Sequence, residues 1–341
     1  MFVIALSLLP PVQTRGKALA VLAESLGLPF PRPFAPSVAR AEVSLGGVEG
    51  DLYVPPYAAP GVVLVHGATE QGKDDPRLIR AARAMARGGR VVFVPALELA
   101  QRRFEDEDLE RIVASVQAIS GHRLVRGPVT LLGISYGGSF ALVAAADPRL
   151  AGRIGQVAVF GAYFDLVGVI QATTTGVSLV GDDRIGWRPD PQAQRILRDA
   201  ALELVPPDQR KPLESAIEGD RGSSELPDAA RRMYDVLTNR DPARTYSLVE
   251  RLPEEPQEMF RRFSPSEVAD RITAPVVAMH SRDDPAVPYG EALRLVRGLP
   301  GTRLASVGSF SHVELEGGWL EAAGDLWHAW RFATWVLEAQ E

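Results

Sequence analysis

The sequence predicts an α/β fold, a mostly parallel, doubly wound sheet with helices on both of its faces. Three observations carry that prediction. Short apolar runs rich in β-branched residues, bounded by Gly or Pro, alternate with helical patterns from residue 41 onward. Several of these runs are apolar through their centres, as in "VVLV", "VVFV" and "VVAM", as strands covered on both faces must be. The alternation breaks once, between residues 166 and 270, where helix-like segments follow one another.

Taken in order, the runs "AEVSL", "GDLYV", "GVVLVHG", "RVVFVPAL", "PVTLLGIS", "GQVAVFGAYF", "APVVAMHS" and "TRLASVG" read as strands. The first two have no helix between them and suit an antiparallel edge. Residues 75–87 read as a helix with Asp75 as N-cap, Pro76 at the first helical position and Gly88 as the stop. Leu78, Ile79, Ala82, Met85 and Ala86 fall on one face of it. Residues 106–119, 136–146 and the Trp-rich end 319–338 also read as helices. Between strands, "PQAQRILRDAALEL", "PDQRKPLESAIEG" and "PDAARRMYDVLTNR" make a helical cap of residues 166–270, inserted into a core of residues 41–165 and 271–341. Its first stretch, "VIQATTTGVSLVGDD", reads as a pocket wall or hinge, with Val169 and Ile170 facing an acyl site.

Residues 1–40 form a separate N-terminal segment. The apolar run Phe2 to Val12 is shorter than the roughly 20 residues a membrane span needs, and Arg15 and Lys17 follow it rather than precede it, unlike a secretory signal. We expect it to dock on the fold of a cytoplasmic protein, a signal or anchor touching a membrane being the alternative. A net charge of −6 over 341 residues gives no electrostatic ground for nucleic acid as a partner. The chain has no cysteine, which excludes disulfides, thiolate metal sites and a cysteine nucleophile. No histidine pair stands at ligand spacing, so neither metal nor cofactor is expected.

The chemistry centres on "LLGISYGGS", residues 131–139. Ser135 stands between Gly133 and Gly137 where a strand turns sharply into a helix. A side chain at either glycine would strike neighbouring backbone, and the helix N-terminus favours developing negative charge near the serine. In that context G-x-S-x-G marks a nucleophile. A nucleophilic serine needs a base, and the chain has five histidines. His66 ends a strand, His122 lies upstream of the serine, His280 is within a strand and His328 within a helix. His312, in the polar loop "VGSFSHVELEG" after the last strand, is the candidate. The acid should lie between serine and histidine in the chain. "VVAMHSRDDPAVP" supplies Asp284, with Asp283 as its solvated neighbour, and Asp165 in "FGAYFDL" is the second candidate. Two backbone amides should hold the oxyanion: that of Tyr136, after the nucleophile, and that of Ala68 in "HGATEQG".

These motifs together resemble the serine α/β-hydrolases. "VVLVHGA", "GISYGG", "HSRDDPAVP" and "SFSHVE" match the oxyanion loop, nucleophile turn, acid turn and histidine loop of that superfamily, in its order, over roughly residues 41–165 and 272–338. The resemblance implies the α/β-hydrolase fold and the triad Ser135, Asp284 and His312. Within the superfamily the chain looks like bacterial esterases and dienelactone-hydrolase-like proteins, from which it departs: those hydrolases usually carry cysteine as nucleophile and lack a large cap. The expected activity is hydrolysis of a small-molecule acyl ester through an acyl-serine. Cleavage of an amide or thioester, or a non-catalytic binding module on the same fold, are the alternatives.

Overall fold

In a computed structural model, residues 10–27, 36–101, 104–219, 222–308, 310–311, 314–315 and 323–338 are described. A helix α1 (Pro10–Ser25) precedes the strands β1 (Ala39–Leu45) and β2 (Val48–Val54), which pair antiparallel across a two-residue turn. Then follow β3 (Gly61–Val65), α2 (Pro76–Arg87), β4 (Val91–Pro95), α3 (Asp106–Ser120), β5 (Val129–Ile134), α4 (Tyr136–Ala145) and β6 (Ile154–Phe160). After a long insertion the chain returns with β9 (Val276–Ser281), α11 (Tyr289–Gly298), β10 (Arg303–Val307) and α12 (Ala323–Glu338). The eight-stranded sheet runs β1-β2-β4-β3-β5-β6-β9-β10. β1 and β2 form its antiparallel edge, and from β4 through β10 every pair is parallel.

Alternation along the strands divides the core. Val62, Leu64, Leu132, Ala158, Met279 and Val307 face α1, α2 and α12. Val63, Val65, Leu131 and Val129 face the other way, onto α3 and α4, among Phe140, Ile112 and Ile119. Period-two side chains on strands covered by helices on both faces require this division. Helix α2 begins as its sequence predicts: the Asp75 side chain accepts from the Arg77 amide at 2.8 Å, Pro76 opens the helix and Gly88 closes it.

The insertion differs in detail from expectation. It opens on helix α5 (Leu166–Thr175) and a hairpin of β7 (Val177–Val180) and β8 (Asp183–Gly186). It continues with α6 (Pro191–Glu203), α7 (Pro207–Ile217), α8 (Asp228–Leu237), α9 (Thr245–Val249) and α10 (Glu254–Arg262). The stretch read as an irregular wall is therefore a helix followed by strands. Three consecutive threonines disfavour a helix locally, but Asp165 caps its start through the Val167 amide and Gly176, at φ 72°, ends it. Thr173 and Thr174 satisfy their hydroxyls on the carbonyls of Val169 and Ile170, one turn earlier. Val169 and Ile170 do not line an acyl site; they are buried in the cluster that holds Phe140 and Tyr163. The apolar faces of α8 and α10 join that cluster through Met233, Val236 and Phe260, and Phe263 stacks on Phe140 with ring centroids 5.0 Å apart.

Helix α1 docks on the fold. Ala18 and Val21 are buried against α2 and α12, and the Trp330 indole donates to the Arg15 carbonyl at 3.0 Å. Among the described residues no helix is long and apolar enough to cross a membrane.

Candidate active site

Parallel neighbours β3 and β5 end level with each other, Val65 standing opposite Gly133. The turns that follow them, His66–Gly72 and Ser135–Tyr136, therefore emerge side by side at the carboxyl edge of the sheet. Ser135 is the only non-glycine with a positive φ among the described residues, at φ 55° and ψ −133°. L-residues avoid this region, and one held there is pinned by its surroundings. The Ser135 amide donates to Phe160 O at 2.7 Å and its carbonyl accepts from the Gly138 amide at 2.8 Å. The glycines make the corner possible. A Cβ on Gly133 would lie 2.4 Å from the Gly137 carbonyl oxygen, and one on Gly137 would lie 2.1 Å from the His66 carbonyl oxygen. That second contact presses the first turn of α4 onto the exit of β3.

Gly67 faces the serine directly: a Cβ there would stand 3.0 Å from the Ser135 Cβ. The loop beyond it is tightened by Thr69, whose amide donates to Gly67 O and whose hydroxyl accepts from the Gly72 amide at 3.1 Å. Ala68 lies in this loop and borders the same cavity as Ser135 and Tyr136. Tyr136 is the first residue of α4, so no carbonyl one turn earlier in the helix is aligned to take its amide. Burial pushes its phenol up to about 12, with the negative charge of Asp284 adding to the effect.

Asp284 follows β9 and is fully buried, whereas Asp283 is exposed. Its Oδ1 accepts from the amides of Ala286 (2.8 Å) and Val287 (2.9 Å), which fixes the carboxylate in the turn. Two residues that sequence reasoning passed over also hold this turn. The Trp187 indole donates to the Asp284 carbonyl at 2.6 Å, and the Asp190 amide donates to Pro285 O at 3.0 Å, so the strand-to-helix link of the insertion straps the acid turn. His280 lies beneath it: its Nε2 donates to the Val287 carbonyl at 3.0 Å and stands 3.7 Å from Asp284 Oδ2. The indole was visible as a lone aromatic in "GWRPDP"; the role of His280 depends on the turn's three-dimensional course.

The base candidate His312 lies outside the described residues. The described chain around it leaves β10 at Val307, whose carbonyl accepts from the Arg282 amide at 2.7 Å, two residues from Asp284. Phe310–Ser311 then pairs antiparallel with Glu314–Leu315. Of the other histidines, His66 is buried with its Nδ1 donating to Gly67 O at 2.9 Å, and burial lowers its pKa. His122 accepts from the Leu124 amide, and His328 is half-buried on α12.

Asp165 belongs to a different constellation. It caps α5, takes the Tyr246 hydroxyl at 2.5 Å and stands 3.9 Å from Arg294. Beside it the fully buried Glu291 accepts from the amides of Phe164 (3.1 Å) and Asp165 (2.7 Å), with Arg294 Nε 3.1 Å away. Burial pushes the Glu291 carboxyl up to about 8, against the pull of Arg294. This network ties the insertion to α11. Neither Asp165 nor Glu291 borders the serine's cavity. Among the described residues no three His, Asp or Glu side chains converge as a metal site requires.

Ser135 opens on a cavity of about 760 Å³. His66, Gly67, Ala68 and Tyr136 border it at the serine, Pro285 and Ala286 from the acid turn, and Asp190, Ala193 and Ile196 from the insertion.

No protein-family model matches the sequence, and no curated protein sequence matches it. Solved structures do. A 2,6-dihydroxy-pseudo-oxynicotine hydrolase is similar at a TM-score of 0.50 and 15% identity, over 90% of this chain and 69% of its own. A hormone-sensitive lipase from a metagenome library is similar at a TM-score of 0.50 and 13% identity, over 98% of this chain and 92% of its own. The acylaminoacyl peptidase of Pyrococcus horikoshii matches at 0.50 and 14% over 90% of this chain, which spans only 41% of that protein. Together with the strand order, these likenesses show that the chain has the α/β-hydrolase fold.

Proposed function

We propose that the chain is a carboxylic-ester hydrolase that works through an acyl-serine intermediate. The observation that carries this reading is the backbone of Ser135, held at positive φ between two glycines at the carboxyl edge of the sheet. Strain of this kind persists where the surrounding packing imposes it, and it fits a hydroxyl that must be aimed into the cavity it borders.

In this reading His312 takes the proton from Ser135 as its Oγ adds to the ester carbonyl carbon, and the carbonyl electron pair moves onto oxygen. The amides of Ala68 and Tyr136 receive that oxyanion. The pair then returns, the bond to the alkoxy oxygen breaks, and the departing alcohol takes the proton from His312. Water repeats the sequence on the acyl carbon: it gives its proton to His312, the acid leaves, and Ser135 is reprotonated. Asp284 keeps the imidazole in the productive tautomer and balances its positive charge. The substrate is a small acyl ester, and residues 166–270 act as a cap whose helix α6 reaches the mouth through Ala193 and Ile196.

A small fluorophosphonate tests the reading. It should label the protein once, at Ser135, and Ser135→Ala should abolish labelling and cut ester turnover about 10⁶-fold. Labelling at another residue, or a Ser135→Ala protein keeping more than about a hundredth of the rate, overturns it.

A further inference from the structure

The cavity at Ser135 does not end at the reacting groups. It continues along the sheet face that carries α1, α2 and α12. Its sheet wall is the row Ile134, Phe160 and Met279, which are register partners on the neighbouring strands β5, β6 and β9. Leu132 continues that wall one side-chain step further from the serine. Opposite stand two helical stripes. Helix α2 contributes Leu78, Ala81 and Met85, and α12 contributes Ala329, Phe332, Ala333, Val336 and Leu337, each set at helical spacing. Val21 and Leu22 of α1, with Leu26 just after it, add a third wall. Among the described lining residues of the sheet, α1 and α12, Ser25 is the one polar side chain; of the charged lining groups, Asp75 and Arg77 sit at the start of α2 and bond each other at 2.6 Å, while Glu70 lies in the loop after β3 and Asp190 in the insertion.

From this arrangement we infer that the chamber between the sheet and these three helices takes the acyl chain of the substrate as an extended, unbranched hydrocarbon. The inference rests on the ester-hydrolase reading above and adds the substrate class to it. From Ser135 to Leu132 the strand advances about 10 Å, and the α12 stripe from Ala329 to Leu337 advances about 12 Å. An extended hydrocarbon advances roughly 1.3 Å per carbon, so the walls accommodate on the order of eight to ten carbons. The acyl group, not the alcohol, fits the deep end of the chamber, because it stays bonded to Ser135 while the alcohol departs past the mouth and water enters.

The test uses the full chain and two series of p-nitrophenyl and alkyl esters. Along the acyl series from acetate to palmitate, kcat/KM should rise about fourfold per methylene, peak near octanoate or decanoate and then fall. Along acetates of lengthening alcohols it should stay nearly flat. Ala333→Phe and Ala81→Phe should move the peak toward shorter acyl groups and lower the decanoate-to-acetate ratio of kcat/KM at least tenfold. Leu22→Ala, which opens the wall at α1, should move the peak toward longer ones. Counting sites with the fluorophosphonate normalises each variant to its folded fraction. A flat acyl series, a preference appearing only in the alcohol series, or a peak unmoved in all three labelled variants overturns the inference. Absence of labelling in the unaltered protein instead removes the hydrolase reading beneath it.

Discussion

The two faces of the sheet carry equal cover but unequal filling. On the α3 and α4 face, large side chains interlock: Phe140 is fully buried, its ring 5.4 Å from that of Phe104 and 5.0 Å from that of Phe263, with Tyr163 and Ile112 in the same cluster. On the α1, α2 and α12 face the facing helical positions include Ala81, Ala329 and Ala333, and the space they leave belongs to the cavity at Ser135. Protein interiors are otherwise packed nearly as densely as molecular crystals, so a chamber of this size marks a face on which close packing is relinquished. The helical insertion accentuates the contrast. Most of its buried apolar side chains join the filled face, and among the described residues α6 alone of its helices contributes to the border of the open one.

Five substitutions, in three contrasts, separate what each part of this arrangement does. The largest effect belongs at the sheet edge that both faces share. Asp284→Asn should lower kcat/KM for an ester about 10⁴-fold, because asparagine favours the wrong imidazole tautomer. Asp283→Asn, on an exposed neighbour, should change it less than about tenfold. Steady-state kinetics on both variants decides; equal losses would move the acid elsewhere, with Asp165 next in line. A middle-sized effect contrasts the faces themselves. Phe140→Ala leaves a void in a filled layer and should cost about 3–5 kcal/mol in urea unfolding. Phe332→Ala borders open space already and should cost about 1–2 kcal/mol. Equal costs would mean that the second face is packed as tightly as the first.

The last contrast concerns the join between insertion and core. Folded Glu291 keeps its proton up to about 8, whereas its ordinary value is 4.5. Between these values the native state therefore binds more protons than the unfolded one, and stability falls as pH rises through the window. The slope from this one group is at most about 1.4 kcal/mol per pH unit. Glu291→Gln should flatten the stability curve from pH about 5 to 8, measured as the urea midpoint; an unchanged slope would assign the pH dependence to other groups.

The eight sheet strands could be read from the sequence because each is a short run between breakers, and in β3 and β4, buried at every position, no polar residue interrupts it, whereas the exposed edge strand β1 mixes polar with apolar residues. Helix α2 was equally plain from Asp75, Pro76 and Gly88. The start of the insertion was not. Its three threonines argue against the helix they form, and the four-residue strands "VSLV" and "DRIG" are too short and too mixed for a period to register. In both places tertiary contacts outweigh local preference. At the candidate site, the motif placed Ser135 on a strand-to-helix corner, as found. The straps on the acid turn, Trp187 and His280, could not be read, since each acts through a backbone carbonyl and leaves no spacing signature. The chamber was hidden for a related reason. It depends on small residues at matching heights on α2 and α12, more than 240 residues apart in the chain.

That separation bears on how the molecule is made. Helix α1 meets α12 where the Trp330 indole reaches the Arg15 carbonyl, 315 residues away along the chain, and the Arg90 guanidinium reaches the Leu337 carbonyl at 2.5 Å. The serine corner needs only β3, β5, α4 and β6, all complete by residue 160. On a ribosome the serine corner can therefore form while the cavity beside it still lacks a wall, and synthesis proceeds at about 5–20 residues per second. Closing so long a loop is entropically affordable, since its cost grows only with the logarithm of its length, but such contacts form late. The nascent chain thus passes through a period in which apolar surface on α2 and the sheet lies open to water, until the last helix emerges and seals it.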